Sequence, residues 1–163
     1  MLVTMVIRLP ARDGSHHGQP PKSRIDVTAR SGSYFTVTTG VDTALTGQPN
    51  QRANQILSDP YMPNRTFSQW LNPAAFAAAA SGTYGTMPID ALLGPGRWNV
   101  DMGVTRSFPV ARHQLQFRLE AFNVFNHMNP SNPVSSLSSL NFGQITSTAT
   151  DQRIVQLALK YLF

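Results

Sequence analysis

Cysteine is absent from this sequence. That excludes disulfides, thiolate metal sites and cysteine nucleophiles. Charge is scarce too. Asp, Glu, Lys and Arg make up 13% of the 163 residues, about half the share usual in soluble proteins. Although 41% of the residues are hydrophobic, they are scattered, and no run approaches the ~20 apolar residues of a membrane helix. Histidine occurs at only four positions, His16, His17, His113 and His127, none spaced as in a zinc helix motif such as H-E-x-x-H. There is no G-x-S-x-G elbow and no G-x-x-x-x-G-K-[ST] phosphate loop. Pro95 between Gly94 and Gly96 reads as a turn into the segment at Trp98. These absences point away from an enzyme, and no catalytic, metal or cofactor site is expected.

The thirteen basic and eight acidic residues give a net charge of +5. The basic residues are spread singly from Arg8 to Lys160. A nucleic-acid binder gathers them into a patch or along a helix, so no nucleic-acid partner is expected. Low charge with dispersed apolar residues fits a transmembrane β-barrel, whose signal is alternating and weak in each segment. A polar, loop-rich β protein fits the composition as well.

What the chain does have is alternation, clearest at its end. In Arg153–Phe163, Val155, Leu157, Leu159, Tyr161 and Phe163 fall on one face of an extended strand. Gln156 and Lys160 lie on the other. A strand of about 9–11 residues, apolar on one side, is what crosses a bilayer in a barrel. Trp98–Phe108 repeats the pattern, with Trp98, Val100, Met102, Val104, Arg106 and Phe108 opposite Asn99, Asp101, Gly103, Thr105 and Ser107. Arg106 interrupts the apolar face near its end, where a long side chain reaches the interface. In Gln114–Asn126, Leu115, Phe117, Leu119 and Ala121 oppose Gln116, Arg118 and Glu120, and the alternation softens from Phe122. Glu120 could serve as an acid or base, but on a barrel strand it would face the lumen, where an ion pair with a neighbouring cation is the expected role.

Other segments read less clearly. Residues 1–24 hold His16-His17, Pro20-Pro21 and four basic residues, and they read as disordered or as a misplaced start. The N-terminus lacks a basic stretch and a cleavage site and makes a poor signal peptide, which places the true start upstream. A strand is expected from Ile25, and another over YFTVTT after Ser33. Residues 40–97 span 58 positions with six prolines, too long for a connection in a compact soluble domain but expected of an external barrel loop. Within it, helical turns are expected near Gln51–Leu57 and from Asn72 as N-cap with Pro73 at the first position, continuing into AAFAAAA. A weak strand start is expected at Phe142–Thr146.

The connections alternate: long before Trp98, short at 109–113, long at 127–150. Barrels have short periplasmic turns and longer external loops. The final strand would then run inward from outside. Trp98 and Phe125 would lie near the outer rim, and Phe108, Phe117, Tyr161 and Phe163 toward the inner one. The fold expected is all-β, an antiparallel meander of about four strands. A closed barrel takes at least about eight, and open edges are not tolerated in lipid, so this chain reads as part of a barrel. A soluble β-sandwich or adhesin-like binding module is the alternative, with the apolar faces forming a core.

From about Ser33 to Phe163 the chain resembles the C-terminal end of large TonB-dependent outer-membrane receptors of Oar type. The phrases that carry the resemblance are SGSYFTVTTGVD, YMPNR, WLNPAAFAAAASGTYG, LLGPGRWNVDMGVTRSF, LQFRLEAFNVFNH and NFGQITSTATDQRIVQLALKYLF. Residues 1–24 do not match, and residues 25–163 would be the C-terminal part of the barrel. The resemblance implies a location in the cell outer membrane and a 22-stranded barrel in the intact protein. It implies uptake of a siderophore, saccharide or peptide-like ligand, coupled to TonB through an N-terminal part that is missing here. It implies contact of Trp98, Val100, Met102, Val104, Leu115, Phe117 and Leu119 with outer-membrane lipid. Val155, Leu157, Leu159, Tyr161 and Phe163 would be the signal read by the barrel-assembly machinery.

Overall fold

The computed structural model describes residues 1–9 and 19–163. Eleven strands occur among them: β1 (Leu2–Leu9), β2 (Gln19–Arg30), β3 (Tyr34–Phe35), β4 (Asn54–Gln55), β5 (Tyr61–Thr66), β6 (Gln69–Leu71), β7 (Phe76–Ala77), β8 (Leu92–Leu93), β9 (Arg97–Val110), β10 (His113–Phe122) and β11 (Ile154–Leu162). The contacts divide the chain into two units.

The first unit, Met1–Ser31, Arg97–Asn129 and Thr150–Phe163, is one sheet in the order β1-β2-β9-β10-β11. Every neighbouring pair is antiparallel. The three segments with clean alternation become its long strands. β9 runs further than expected, through Pro109 to Val110, and leaves a turn of only Ala111 and Arg112. Ala111 has φ +54°, as the first central residue of a primed hairpin turn requires. The connections β2–β9 and β10–β11 are long and leave from the opposite end of the sheet. The fifth strand is β1. Residues 2–9 and 19–24 are strand and not disordered, because Val3, Met5 and Ile7 align with Ala29, Val27 and Ile25. The two His of the 16–17 pair lie outside the described residues. The register of β2 against β9 shifts between Gln19 and Lys22, where Pro20 and Pro21 offer no N–H to a ladder.

The second unit, Gly32–Gly96 and Pro130–Ala149, holds the hydrophobic core. Phe35, Val37, Ala53, Leu71, Ala75, Phe76, Met87 and Leu92 are buried together, with Tyr61, Trp70, Leu137 and Phe142 against them. Long sequence stretches thus acquire order without much regular structure. Three two-stranded ladders, β3-β8, β4-β7 and β5-β6, brace it. Gly40 has φ +78°, and a Cβ there would meet the hydroxyls of Ser136 and Ser138 within 2.4 Å.

Several local expectations fail here for tertiary reasons. Gln51–Leu57 contains strand β4 rather than a helical turn, because Ala53 donates its N–H to Val37 O and accepts from Met87 N–H. Asn72 does cap a turn at Pro73–Ala75, accepting from Ala74 N–H at 3.1 Å. The helix stops after that turn. Phe76 is buried edge-on to Phe142 at 5.7 Å and pairs with Gln55, and this packing overrides the helix propensity of the alanines. YFTVTT keeps only two strand residues, since Thr38 bridges to both Arg52 and Ser136. Phe142–Thr146 is not a strand. Gly143 turns the chain at φ +77° and its carbonyl accepts from Trp70 N–H and Leu71 N–H.

Candidate functional site

The register of the large sheet sorts its side chains into two faces. On one, Val3, Met5 and Ile7 of β1 continue into Ile25, Val27 and Ala29 of β2. These continue into Met102, Val100 and Trp98 of β9. Met102, Val104 and Phe108 stand opposite Ala121, Leu119 and Leu115 of β10. Val155, Leu157, Leu159 and Tyr161 of β11 complete the face opposite Ala121, Leu119, Phe117 and Leu115. All the residues expected to meet lipid, Trp98, Val100, Met102, Val104, Leu115, Phe117 and Leu119, fall on this one face. The expected assembly positions Val155, Leu157, Leu159 and Tyr161 share it, and Phe163 follows at the end of β11.

Along β9 the apolar face is the more exposed one, and on β11 it is exposed throughout. Met102 is 41% exposed, Phe117 39% and Leu157 68%, whereas Ser107 on the other face of β9 is 7% exposed. Asn99, Asp101, Gly103 and Thr105 are half-buried. A soluble sheet has the opposite arrangement, with its apolar side covered. Side chains crowd together where a sheet curls toward them, and a barrel fills its inner side that way. Both faces of β11 are exposed, as fits a strand with a neighbour on one side only.

Among the described residues the polar face carries two ion pairs and several further charged side chains. Asp26 lies directly opposite Asp101. Like charges in that position repel, and each is held by other groups. Arg24 Nε is 2.7 Å from Asp26 Oδ2. Asp101 Oδ1 accepts from Asn99 Nδ2 at 2.7 Å and from the Asn123 N–H at 2.9 Å. Glu120 pairs with Arg118, the ion pair expected of it. Gln116 Nε2 donates to Ser107 Oγ at 3.3 Å. Among the described residues no group of three or more His, Cys, Asp or Glu could hold a metal. His113 lies tilted against Tyr161 at 5.3 Å, and His127 stacks on Trp98 at 4.2 Å.

Three asparagines at the long-loop end went unread in the sequence. Asn123 is buried. Its Nδ2 donates to the carbonyls of His127 and Asp151 at 3.0 and 3.1 Å, and its Oδ1 accepts from His127 N–H at 2.9 Å. Asn126 Oδ1 accepts from Arg153 N–H at 3.0 Å. Asn129 Oδ1 accepts from Trp98 N–H at 2.8 Å, and its Nδ2 donates to Thr150 Oγ1 at 2.9 Å. Together they tie β9, the end of β10 and the start of β11. Phe125 and Trp98 meet at 6.0 Å, so the two aromatics assigned to one rim do lie together. The signal was the N-x-x-N-x-x-N spacing, at the point where the alternation softens.

Residues 25–156 match the model of a family described as "Outer membrane beta barrel domain". No curated protein and no solved structure matches the chain.

Proposed function

We propose that this chain, which belongs to the family of outer membrane beta barrel domains, is the C-terminal end of a TonB-dependent receptor of Oar type. The chain is an all-β protein of the outer membrane. On the proposed reading its apolar face meets lipid and its polar face lines the lumen. The observation that carries this reading is the continuous apolar face of the large sheet, which stays uncovered on β9 and β11. An exposed apolar belt costs nothing in lipid and is a liability in water. The soluble sandwich needs that belt as its core, but the buried core lies in the second unit.

The short-turn end of the sheet is then periplasmic, and β11 runs toward it. The transporter whose barrel this segment completes imports a siderophore, saccharide or peptide-like ligand, energised through TonB by an N-terminal part of the longer protein. This segment alone transports nothing. Val155, Leu157, Leu159, Tyr161 and Phe163 serve as the signal for the barrel-assembly machinery. What supports the receptor assignment is the order of the resembling phrases from Ser33 to Phe163.

Expression without detergent tests the membrane part. The expected product needs detergent or lipid to stay dispersed, and a soluble monomer with cooperative unfolding contradicts it. The receptor assignment is tested by reading the genomic frame upstream of Met1. Further alternating strands, a plug and a signal peptide are expected there, and an intact promoter directly before Met1 contradicts them.

A further inference from the structure

Arg106 is the one Lys, Arg, Asp or Glu among the described strand positions of the apolar face. It lies opposite Phe117, and its neighbour on the same face, Phe108, lies opposite Leu115. Among the described residues no ion pair or hydrogen bond engages its guanidinium, and it is exposed. The guanidinium carbon is 4.8 Å from the Phe108 ring centroid. Phe108 is two residues nearer the Ala111–Arg112 turn, so the side chain leans toward the short-turn end.

The height of this position follows from strand geometry. Ten residue steps separate Trp98 from Phe108, about 34 Å along the strand and about 26 Å along the normal at a tilt of ~40°. That is close to the ~25 Å of the apolar band of an outer-membrane barrel, with girdle aromatics at its two edges. Arg106 then begins about 5 Å inside the band, within the reach of a side chain that extends its head to the interface. Further along toward the turn come His113, paired with Val110, and the exposed Arg112. At the interface a guanidinium with no partner among the described residues is open to an anion with two or more acceptor oxygens, and its planar fork fits a phosphate. A headgroup that carries its own ammonium brings a competing cation. One without it leaves the phosphate charge free.

We infer that Arg106, with Arg112, forms a binding site for the phosphate of an anionic phospholipid at the short-turn rim of the apolar face. The inference rests on the reading of that face as lipid-facing.

The test uses a tryptophan reporter. The chain's two tryptophans, Trp70 and Trp98, are replaced by Phe, and Phe117→Trp places one indole opposite Arg106. The complete barrel protein that carries this segment, with any other tryptophans also replaced, is reconstituted in phosphatidylcholine vesicles, and quenching by bromo-acyl phosphatidylcholine is compared with quenching by bromo-acyl phosphatidylglycerol. The expected preference for phosphatidylglycerol is about fivefold, the scale of one arginine at an anionic surface. Arg106→Gln with Arg112→Gln should lower it to about one, and Arg106→Lys should keep most of it. Equal quenching by the two lipids, or a preference untouched by the double variant, overturns the site. A preference erased by millimolar inorganic phosphate also overturns it, in favour of a free-anion site. Absence of quenching by either lipid instead overturns the lipid-facing reading itself.

Discussion

Asn123 has φ +50° and sits buried with its whole amide engaged. Asparagine tolerates the left-handed region better than most residues, and its side chain satisfies groups that would otherwise be orphaned between β10 and β11. Asn123→Ala removes three hydrogen bonds, each worth roughly 0.5–1.5 kcal/mol, and leaves partners unmet. We expect a loss of about 2–4 kcal/mol on that basis, read as a lower urea midpoint for the lipid-embedded protein. Ala111 has no such excuse. Its φ of +54° suits glycine in a two-residue hairpin. Ala111→Gly should therefore stabilise the protein by about 1 kcal/mol through relief of the left-handed conformation, read as a higher midpoint. A lower midpoint would mean that the turn is not primed.

At the scale of the element, the alternation carries most of the information. Trp98–Phe108, Gln114–Asn126 and Arg153–Phe163 were legible as strands because period two leaves a one-face imprint that tertiary contacts do not alter. The alanine run after Asn72 was misread, since Phe76 packs on Phe142 and only the capped first turn survives as helix. β1 was hidden by the polar, proline-bearing stretch beside it. The asparagine ties were hidden because they join residues far apart in sequence, such as Asn129 with Trp98. The two faces of β10 should respond differently to charge. Leu119→Arg places a cation on the apolar face, where it costs roughly 2–4 kcal/mol near the middle of the bilayer. Gln116→Arg on the polar face should be nearly neutral. Equal effects on outer-membrane levels would contradict the assignment of the faces. Deleting Phe163 from the complete barrel protein should impair assembly into the outer membrane, and unchanged membrane levels would refute its proposed role in the assembly signal.

The whole molecule combines a sheet with two free edges among the described residues and a second unit with its own core. Five antiparallel strands give β1 and β11 the same direction. Outer-membrane barrels of even strand number are antiparallel throughout. Strands that join β1 to β11 in such a barrel are therefore odd in number, and a ring of copies of this chain would need parallel seams. The central claim is that the apolar face lies against lipid, and the absence of native cysteine makes it directly measurable. Single cysteines are placed at each position from Leu115 to Glu120 in the outer-membrane-embedded protein, and labelling by a membrane-impermeant thiol reagent is measured. Labelling is expected at Gln116, Arg118 and Glu120 and protection at Leu115, Phe117 and Leu119. Uniform labelling of both faces, or protection of the polar one, would contradict it.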